Sequence, residues 1–324
     1  MTAGFHLLVV VVILVALLSV AAVLIWYERR LLAAFQDRFG PNRVGPFGLG
    51  QPLADVVKLL AKEDWIPPFA DAPIFVLAPT IVVVSVLAAF AVIPFTHSTW
   101  VADLNVGLLF VLGMFSLGVY SVTLGGWASN NKYSLIGGMR AAAQLISYEL
   151  PLGLSLVGVV MLAGSFRLTD IVAAQHPVPF IVYQPLGFLI FMVAGFAEAR
   201  RTPFDLPEAD SELVAGYHTE YSSMKFALFF MGEYLDITLV SCLTTVLFLG
   251  GWHGPLLPGI VWFALKAGAL ISLFIWVRSI IPRYRFDQLM NLGWKVLTPL
   301  ALANILVTGA VALLVGQGGG GGGG

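Results

Sequence analysis

The sequence predicts an all-α membrane protein, a polytopic bundle of about eight transmembrane helices with amphipathic helices on the cytoplasmic side. Hydrophobic residues make up 59% of the chain and charged residues only 11%, against about 25% charged residues in soluble domains. Apolar runs also recur at the length of roughly 20 residues that a helix needs to cross a bilayer core. We therefore expect a single transmembrane domain over residues 1–317 and a glycine-rich tail over 318–324.

The predicted spans are apolar runs separated by polar segments. The first run could be mistaken for a signal peptide, but no basic residue precedes it and it is about twice as long as a signal core, so we expect it to be retained. The eight runs are Phe5–Tyr27, Pro73–Phe95, Leu104–Gly126, Gln144–Ala163, Phe180–Ala199, Gly232–Gly250, Pro258–Ile281 and Trp294–Val315.

The distribution of basic residues predicts the orientation of the bundle. In an alternating topology of eight spans, 15 of the 17 lysines and arginines fall in loops on one side. Arg167 lies in an opposite loop, and Lys266 lies inside the seventh run. By the positive-inside rule, the basic loops face the cytoplasm. Both termini then face away from the cytoplasm.

The segment from Gln51 to Lys62 has the pattern of an amphipathic helix. Leu53, Val56, Val57 and Leu60 would share one face of it, opposite charged residues. Such a helix lies in the membrane interface and does not span the bilayer. It either seals the surface of the bundle or forms the rim of an opening for a lipid-soluble molecule.

The chain has few residues that could hold a redox cofactor. Cys242 is its only cysteine and lies in an apolar run, whereas an iron–sulfur cluster or a structural zinc needs about four ligands. No glycine-rich dinucleotide motif follows a strand pattern. We expect no metal site and no cofactor bound by this chain alone, and the formal net charge of −1 gives no indication of nucleic acid binding.

Ionisable residues within the apolar runs are candidates for function. A charged group at bilayer depth costs about 2.5–3.5 kcal/mol on insertion scales, so it needs a partner or a purpose. Glu149, Glu198 and Lys266 are of this kind, and Glu233 and Asp236 share one helix face at a spacing of three. These residues either pair with one another or remain hydrated near the surface, or else they carry protons.

The loop after the fifth run is the most acidic part of the chain. Repulsion between stacked carboxylates and partial burial raise carboxyl pKa values, which suits a proton relay. A solvated acidic loop is the alternative interpretation. The acidic residues of this loop are Asp205, Glu208, Asp210, Glu212 and Glu220.

Several long motifs resemble one family. They are Glu28-Arg29-Arg30, the run from Gly40 to Pro46 with Gln51-Pro52-Leu53-Ala54-Asp55, the run from Gly126 to Ser134, Ser147-Tyr148-Glu149-Leu150, and the run from Arg201 through Pro207-Glu208 to Glu220-Tyr221. Together they resemble the quinone-tunnel membrane subunit of bacterial NADH:quinone oxidoreductase, the respiratory complex I, over essentially all of residues 5–315. Tyr284 and Phe286 depart from the pattern, which has proline and tyrosine there.

The resemblance implies a protein that forms a quinone tunnel and links quinone reduction to proton translocation. Quinone is the substrate, while FMN and the iron–sulfur clusters are held by partner subunits, so no residue here is catalytic in the redox step. Partners are the peripheral subunits at the quinone site, adjacent membrane-arm subunits and the lipid bilayer. The resemblance assigns Arg29, Arg38, Asp55 and Lys58 to the tunnel, and Glu149, Glu198, Asp205, Glu208, Asp210, Glu212, Glu220 and Glu233 to proton coupling.

Other functions remain open on the residues alone. A secondary transporter also places charges at membrane depth, but it usually shows repeated halves with broken helices, and no such repeat is visible. A membrane anchor of an energy-converting hydrogenase would share the acidic loop and much of the topology. A passive scaffold for a peripheral arm is the third alternative.

Overall fold

The protein is an α-helical bundle that contains no β-strand within residues 3–206 and 214–319, the ranges that the computed structural model describes, with side chains from residue 10 to residue 314. The predicted all-α class is confirmed. The helices are α1 (Ala3–Phe35), α2 (Gln51–Ala61), α3 (Ala72–Phe90), α4 (Gly107–Ala128), α5 (Lys132–Ala163), α6 (Leu168–Ala174), α7 (Phe180–Tyr183), α8 (Pro185–Glu198), α9 (Ser223–Phe248), α10 (Gly259–Ile280), α11 (Phe286–Asn291) and, after a π-helical turn at Leu292–Leu297, α12 (Thr298–Gly319).

Seven helices in the described ranges are long and apolar enough to cross a membrane: α1, α3, α4, α5, α9, α10 and the continuous helix from Phe286 to Leu314. The chain is therefore a multi-pass membrane protein. The fifth predicted run differs, because it is divided into α7 and the 14-residue α8. At 1.5 Å per residue α8 is about 21 Å long, shorter than a bilayer core of about 30 Å.

The break between α7 and α8 has a local cause. Pro185 has no N–H to donate and disfavours helical geometry at the residue before it. Gln184 leaves the helical region there, with φ −129° and ψ 52°. Its buried amide Nε2 donates to Thr308 Oγ1 at 2.6 Å, and its Oε1 accepts from Asn304 Nδ2 at 2.8 Å. The break is thus tied to α12 by hydrogen bonds.

Helix α9 lies at the centre of the bundle. Every residue from Gly232 to Phe248 is buried, and the helix packs against α1, α3, α8 and α10. Cys242 is a free, buried thiol in this segment. The carboxylates of Glu233 and Asp236 therefore point into protein and not into lipid or water.

Lys266 lies among backbone carbonyl groups at the C-terminal end of α9, and these account for its charge within an apolar run. Its ammonium Nζ donates to the carbonyl oxygens of Leu249 at 2.7 Å, Gly251 at 3.0 Å and His253 at 2.7 Å. These carbonyls follow the last turn of α9, where a cation is favoured by the helix dipole. The lysine in the seventh predicted run therefore caps another helix.

The amphipathic helix predicted after the first span is present as α2. Its apolar residues Leu53, Val56, Val57 and Leu60 are 43–71% exposed, so their face points away from the bundle. The other side of α2 is held by Ser223, whose hydroxyl donates to Leu59 O at 2.9 Å and Lys62 O at 3.0 Å. The exposed apolar face is what an interfacial helix needs.

Gln175 joins three segments at the end of the bundle near the C-terminus of α9. Its Nε2 donates to Ile171 O at 3.2 Å and Val246 O at 2.6 Å, and its Oε1 accepts from Phe180 N at 3.3 Å and Gly250 N at 2.8 Å. The side chain is buried. All four of its hydrogen-bonding positions are therefore filled.

We predict that Gln175→Ala destabilises the protein. The substitution leaves two backbone N–H groups without their acceptor, and a buried unsatisfied polar group costs about 1–3 kcal/mol. The thermal unfolding midpoint of the purified protein in detergent measures the effect. Gln36→Ala is the matched control, because Gln36 is exposed and exposed substitutions change stability by about 0.5 kcal/mol or less. Equal midpoints for the two variants would contradict this role.

Candidate functional site

Charged side chains collect inside the bundle, between the end of α8 and the middle of α9. Burying a charge is unfavourable unless it is paired, so the partners of each group decide what the cluster can do. Every member is no more than 9% exposed. We call the following residues the buried charge cluster: Glu28, Glu198, Arg200, Arg201, Asp205, Glu233 and Asp236.

The two arginines are placed by the way in which α8 ends. Arg201 N donates to Phe196 O and Arg200 N donates to Ala197 O, which is the pair of hydrogen bonds of a Schellman motif. Arg200 occupies the left-handed position of the motif, with φ 52°. Glycine usually stands there, because a side chain costs about 1–2 kcal/mol in this conformation. The turn directs consecutive arginines into the bundle.

Each arginine pairs with a different turn of the central helix. Arg200 Nη2 lies 3.1 Å from Asp236 Oδ2. Arg201 lies between two helices, with Nη2 at 3.6 Å from Glu233 Oε2 and Nη1 at 3.7 Å from Glu28 Oε1. The predicted shared face of Glu233 and Asp236 thus meets an adjacent pair of cations.

Aromatic groups and a further arginine surround these pairs. Arg278 Nη1 donates to Glu28 Oε1, and the guanidinium of Arg201 lies 4.4 Å from the ring centre of Tyr234. Tyr217 OH donates to Glu233 Oε1 at 3.4 Å. Tyr217 comes this close because α5 has glycine at Gly137, where a Cβ atom would lie 2.7 Å from the Tyr217 backbone nitrogen.

Asp205 stands at the start of the acidic loop. Its Oδ2 accepts from Arg283 Nη2 at 2.9 Å. Burial and the charge of Glu233 outweigh the opposing effect of the Arg283 guanidinium and raise the pKa of Asp205 to about 6. Tyr284, which replaces the proline of the family pattern, donates its backbone N–H to Pro203 O at 3.2 Å. A proline could not make this bond.

Two cavities border Glu198. One, with a volume of about 220 Å³, is lined by Glu149, Glu198, Ser116 and apolar residues. The other, of about 10 Å³, is lined by Glu198, Arg200, Asp236, Ser85 and apolar residues. Glu198 therefore lies between Glu149 and the rest of the cluster. Glu198 thus has another carboxylate beside each cavity, Glu149 at one and Asp236 at the other.

The predicted tunnel residues lie outside the cluster. Arg29 Nη1 and Asp55 Oδ2 form an ion pair of 2.9 Å, and Gln51 Nε2 donates to Asp55 Oδ1 at 3.0 Å. Arg38 donates instead to Gln36 at 2.8 Å, and Lys58 is exposed on the last turn of α2. Among the four predicted residues, only Arg29 and Asp55 join α1 to α2.

The predicted acids divide into three groups. Glu198, Asp205 and Glu233 belong to the buried charge cluster, and Glu149 borders it. Glu220 lies elsewhere and accepts from Asn131 Nδ2 at 2.6 Å. Glu208, Asp210 and Glu212 fall outside the described residues.

The sequence motifs assign no role to four members of the cluster: Glu28, Arg200, Arg201 and Asp236. One feature of the sequence could have identified Glu28 as a buried acid. It directly follows an apolar run, and the helix of that run continues to Phe35. In the sequence, two adjacent arginines after an apolar run indicate only which side of the membrane that end of the helix faces. Their inward direction depends on the left-handed turn at Arg200, which composition does not reveal.

Comparison with known proteins identifies close relatives. The family profile described as NADH dehydrogenase matches residues 7–309. The chain is 59% identical to the first H subunit of NADH-quinone oxidoreductase from Geobacter metallireducens, over 96% of this chain and 97% of that protein. It is 57% identical to the second H subunit from Syntrophobacter fumaroxidans over 98% and 99%, and 58% identical to the H subunit from Methylococcus capsulatus over 95% and 98%.

We predict a distinct pH dependence for Asp205. Its folded pKa of about 6 lies above its ordinary value of 3.8, so the folded state binds the proton more tightly than the unfolded state. The stability contributed by this group is greatest below pH 4, falls as pH rises through about 6, and is constant above that. Relative to Asp205→Asn, the wild-type protein should therefore lose thermal stability between about pH 4 and pH 7.

Thermal midpoints measured in detergent across this pH range test the sign. Asp287→Asn is the control, because Asp287 and its ion-pair partner Arg285 are both exposed. A wild-type protein that gains stability over Asp205→Asn as pH rises would show that the Arg283 ion pair, and not burial, dominates the carboxyl group.

Proposed function

The chain belongs to the NADH dehydrogenase family, and from this membership we propose that its two charged sites join quinone binding to proton transfer. Its relatives are named as the H subunit of NADH-quinone oxidoreductase, and the chain is a membrane subunit of that multi-subunit enzyme, complex I. The enzyme is a translocase, and quinone is its substrate. Identity of 57–59% over nearly the full length of these relatives supports this function over a hydrogenase anchor or a transporter.

The surface formed by α1 and α2 suits a lipid-soluble substrate. Quinone carries an apolar tail and a polar headgroup, so it needs an apolar approach that ends at hydrogen-bond donors or acceptors. The exposed apolar face of α2 supplies the first. The Arg29–Asp55 ion pair, with side chains 47% and 24% exposed, supplies the second. We place the mouth of the quinone tunnel between α2 and the end of α1.

One observation carries the proposal that this mouth communicates with the proton-coupling acids. Glu28 and Arg29 are consecutive residues on α1, about 100° apart around the helix, and they contact different parts of the molecule. Arg29 points outward to Asp55, whereas Glu28 points inward to Arg201 and Arg278. A change of charge at the quinone site is therefore one residue away from a buried carboxylate.

The effect can pass inward because the buried groups share partners. Arg201 lies between Glu28 and Glu233 at similar distances, so a change in the charge of one carboxylate alters its attraction to the other. Electrostatic interactions are several times stronger inside a protein than in water. A shift of Arg201 between two partners is a change of population between two states, which coupling requires.

We assign FMN and the iron–sulfur clusters to partner subunits, and the cluster that reduces quinone to a neighbouring peripheral subunit. The basic loops face the cytoplasm and both termini face the periplasm of a bacterial inner membrane, because 15 of the 17 basic residues lie on one side. Adjacent membrane-arm subunits receive the effect through Glu149 and Glu198.

We predict that Glu28→Gln lowers NADH:quinone activity of the assembled complex by about tenfold or more, because the inner link to the quinone site loses its charge. NADH oxidation by ferricyanide, which needs no quinone, should persist. Both rates are measured in membranes with normal complex content. Glu63→Gln is the matched control, since Glu63 is exposed. Equal loss of both activities would refute a role on the quinone side.

A second variant tests the mouth itself. Arg29→Gln breaks the ion pair with Asp55 and should raise the KM for quinone more than it lowers kcat, because the pair lies at the surface and acts on approach and binding. Steady-state kinetics over a range of quinone concentrations separate the two constants. Lys295→Gln removes an exposed cation away from α2 and should change neither. A lower kcat at unchanged KM would place Arg29 outside the binding path.

A further inference from the structure

Asp236 is a buried carboxylate that has no assigned role in the proposed function. It lies one helical turn after Glu233 on α9 and is 6% exposed. Its ion pair with Arg200 has a length of 3.1 Å. A buried ion pair is weak evidence for stability, because desolvation of both charges opposes their attraction. Stability alone therefore does not account for this carboxylate.

Asp236 and Glu198 face the same small space. Both line the cavity of about 10 Å³, together with Arg200 and Ser85. A cavity of this volume holds about one water molecule when polar groups surround it. Apolar residues such as Met114, Phe115 and Leu239 form the other walls, so exchange with bulk water is restricted.

Two of the residues that line this space also have unfilled hydrogen-bonding positions. Among the described residues, Arg200 Nε and Nη1 and Glu198 Oε2 have no hydrogen-bond partner. Arg200 and Glu198 are both 4% exposed, and buried polar groups of this kind normally bond to protein or to an ordered water molecule. Unpartnered donors of the guanidinium and an unpartnered acceptor of the carboxyl group thus belong to residues that line the same cavity as Asp236.

The charges of the three groups do not balance when both acids are ionised. Arg200 supplies one positive charge, whereas Glu198 and Asp236 together would carry two negative charges. Like charges that share a buried site hold one proton between them. With one proton bound, the three groups are neutral as a set, and they remain neutral whichever carboxylate carries that proton.

We propose that Asp236 and Glu198 form a carboxylate pair that shares one proton, one counter-cation and one water site. In the arrangement described here, Arg200 holds ionised Asp236, and the proton is on Glu198. When Arg200 turns its free N–H groups toward Glu198, the proton leaves Glu198 for the water and a proton of the water passes to Asp236. No proton is gained or lost in the exchange.

The shared pair rests on the proposed function and adds to it a point at which the proton path divides. Glu198 also faces Glu149 across the cavity of about 220 Å³. A proton released by Glu198 can therefore go to Glu149 or to Asp236, and from Asp236 it can return to Glu198. Glu233 lies one turn before Asp236. The ring of Tyr217, whose hydroxyl donates to Glu233 Oε1, lies 5.9 Å from the Arg200 guanidinium carbon. A change in the charge of Glu233 can therefore affect the pair through Tyr217 and Arg200.

The test replaces Asp236 in the assembled complex. In Asp236→Asn, Arg200 is left with Glu198 alone and should keep it ionised. Infrared difference spectra between the reduced and oxidised enzyme should then lose the carbonyl-stretch signal of one protonated carboxyl group, and proton translocation per electron in proteoliposomes should fall several-fold. Asp236→Glu keeps the second carboxylate and should restore both. Asp287→Asn, which removes an exposed carboxylate whose ion-pair partner Arg285 is also exposed, should behave as wild type.

If Asp236→Asn does not assemble into the complex, a double variant provides the test. Arg200→Gln with Asp236→Asn removes cation and anion together, so Glu198 stays protonated and its infrared signal no longer responds to quinone. An unchanged infrared response and unchanged translocation in either assembled variant would overturn the shared pair.

The outcome also separates this proposal from the one on which it rests. If Glu198→Gln and Glu28→Gln impair coupling while Asp236→Asn does not, the acids still couple quinone to protons and only the pair is wrong. If none of the three changes turnover or translocation in assembled enzyme, the proposed function itself fails.

Discussion

The structure depends on one constraint, which is that charges inside an apolar bundle must be paired. Two arginines at the end of α8 meet this need for carboxylates from α1 and α9. Three helices are thereby joined at a point where hydrophobic packing alone would favour uncharged side chains. Buried ion pairs seldom increase stability over apolar residues of the same volume. Their presence in the centre of the bundle therefore fits a functional demand better than a structural one.

The end and the middle of α9 use polar groups differently. Near the C-terminus of α9, Gln175 and Lys266 satisfy backbone carbonyls and N–H groups, and all of their hydrogen bonds hold the fold together. In the middle of α9 the charged groups share partners, and some of their polar atoms have none among the described residues. Groups with complete hydrogen bonds are rigid, whereas groups with shared partners can change them. The proposed chemistry lies in the middle of the helix.

The position of α1 links these properties to the substrate. Its last turns carry Glu28 on the inner side and Arg29 on the outer side. A quinone near Arg29 and Asp55 would lie beside the turn of α1 that carries Glu28 into the buried charge cluster. The helix provides a rigid and short connection, so coupling across it needs no large movement of the chain.

The sequence by itself determined that this is an all-α membrane protein, where most of its spans lie, and that α2 is amphipathic, because apolar length and helical periodicity are properties of neighbouring residues. It also identified Glu198, Asp205 and Glu233 as acids of interest. Only the tertiary structure decided that α8 is a short helix, that Lys266 caps α9, and that Arg200 and Arg201 point inward to Asp236, Glu28 and Glu233. The physical reason is that a buried charge is defined by its partners, and those partners come from helices far apart in the chain.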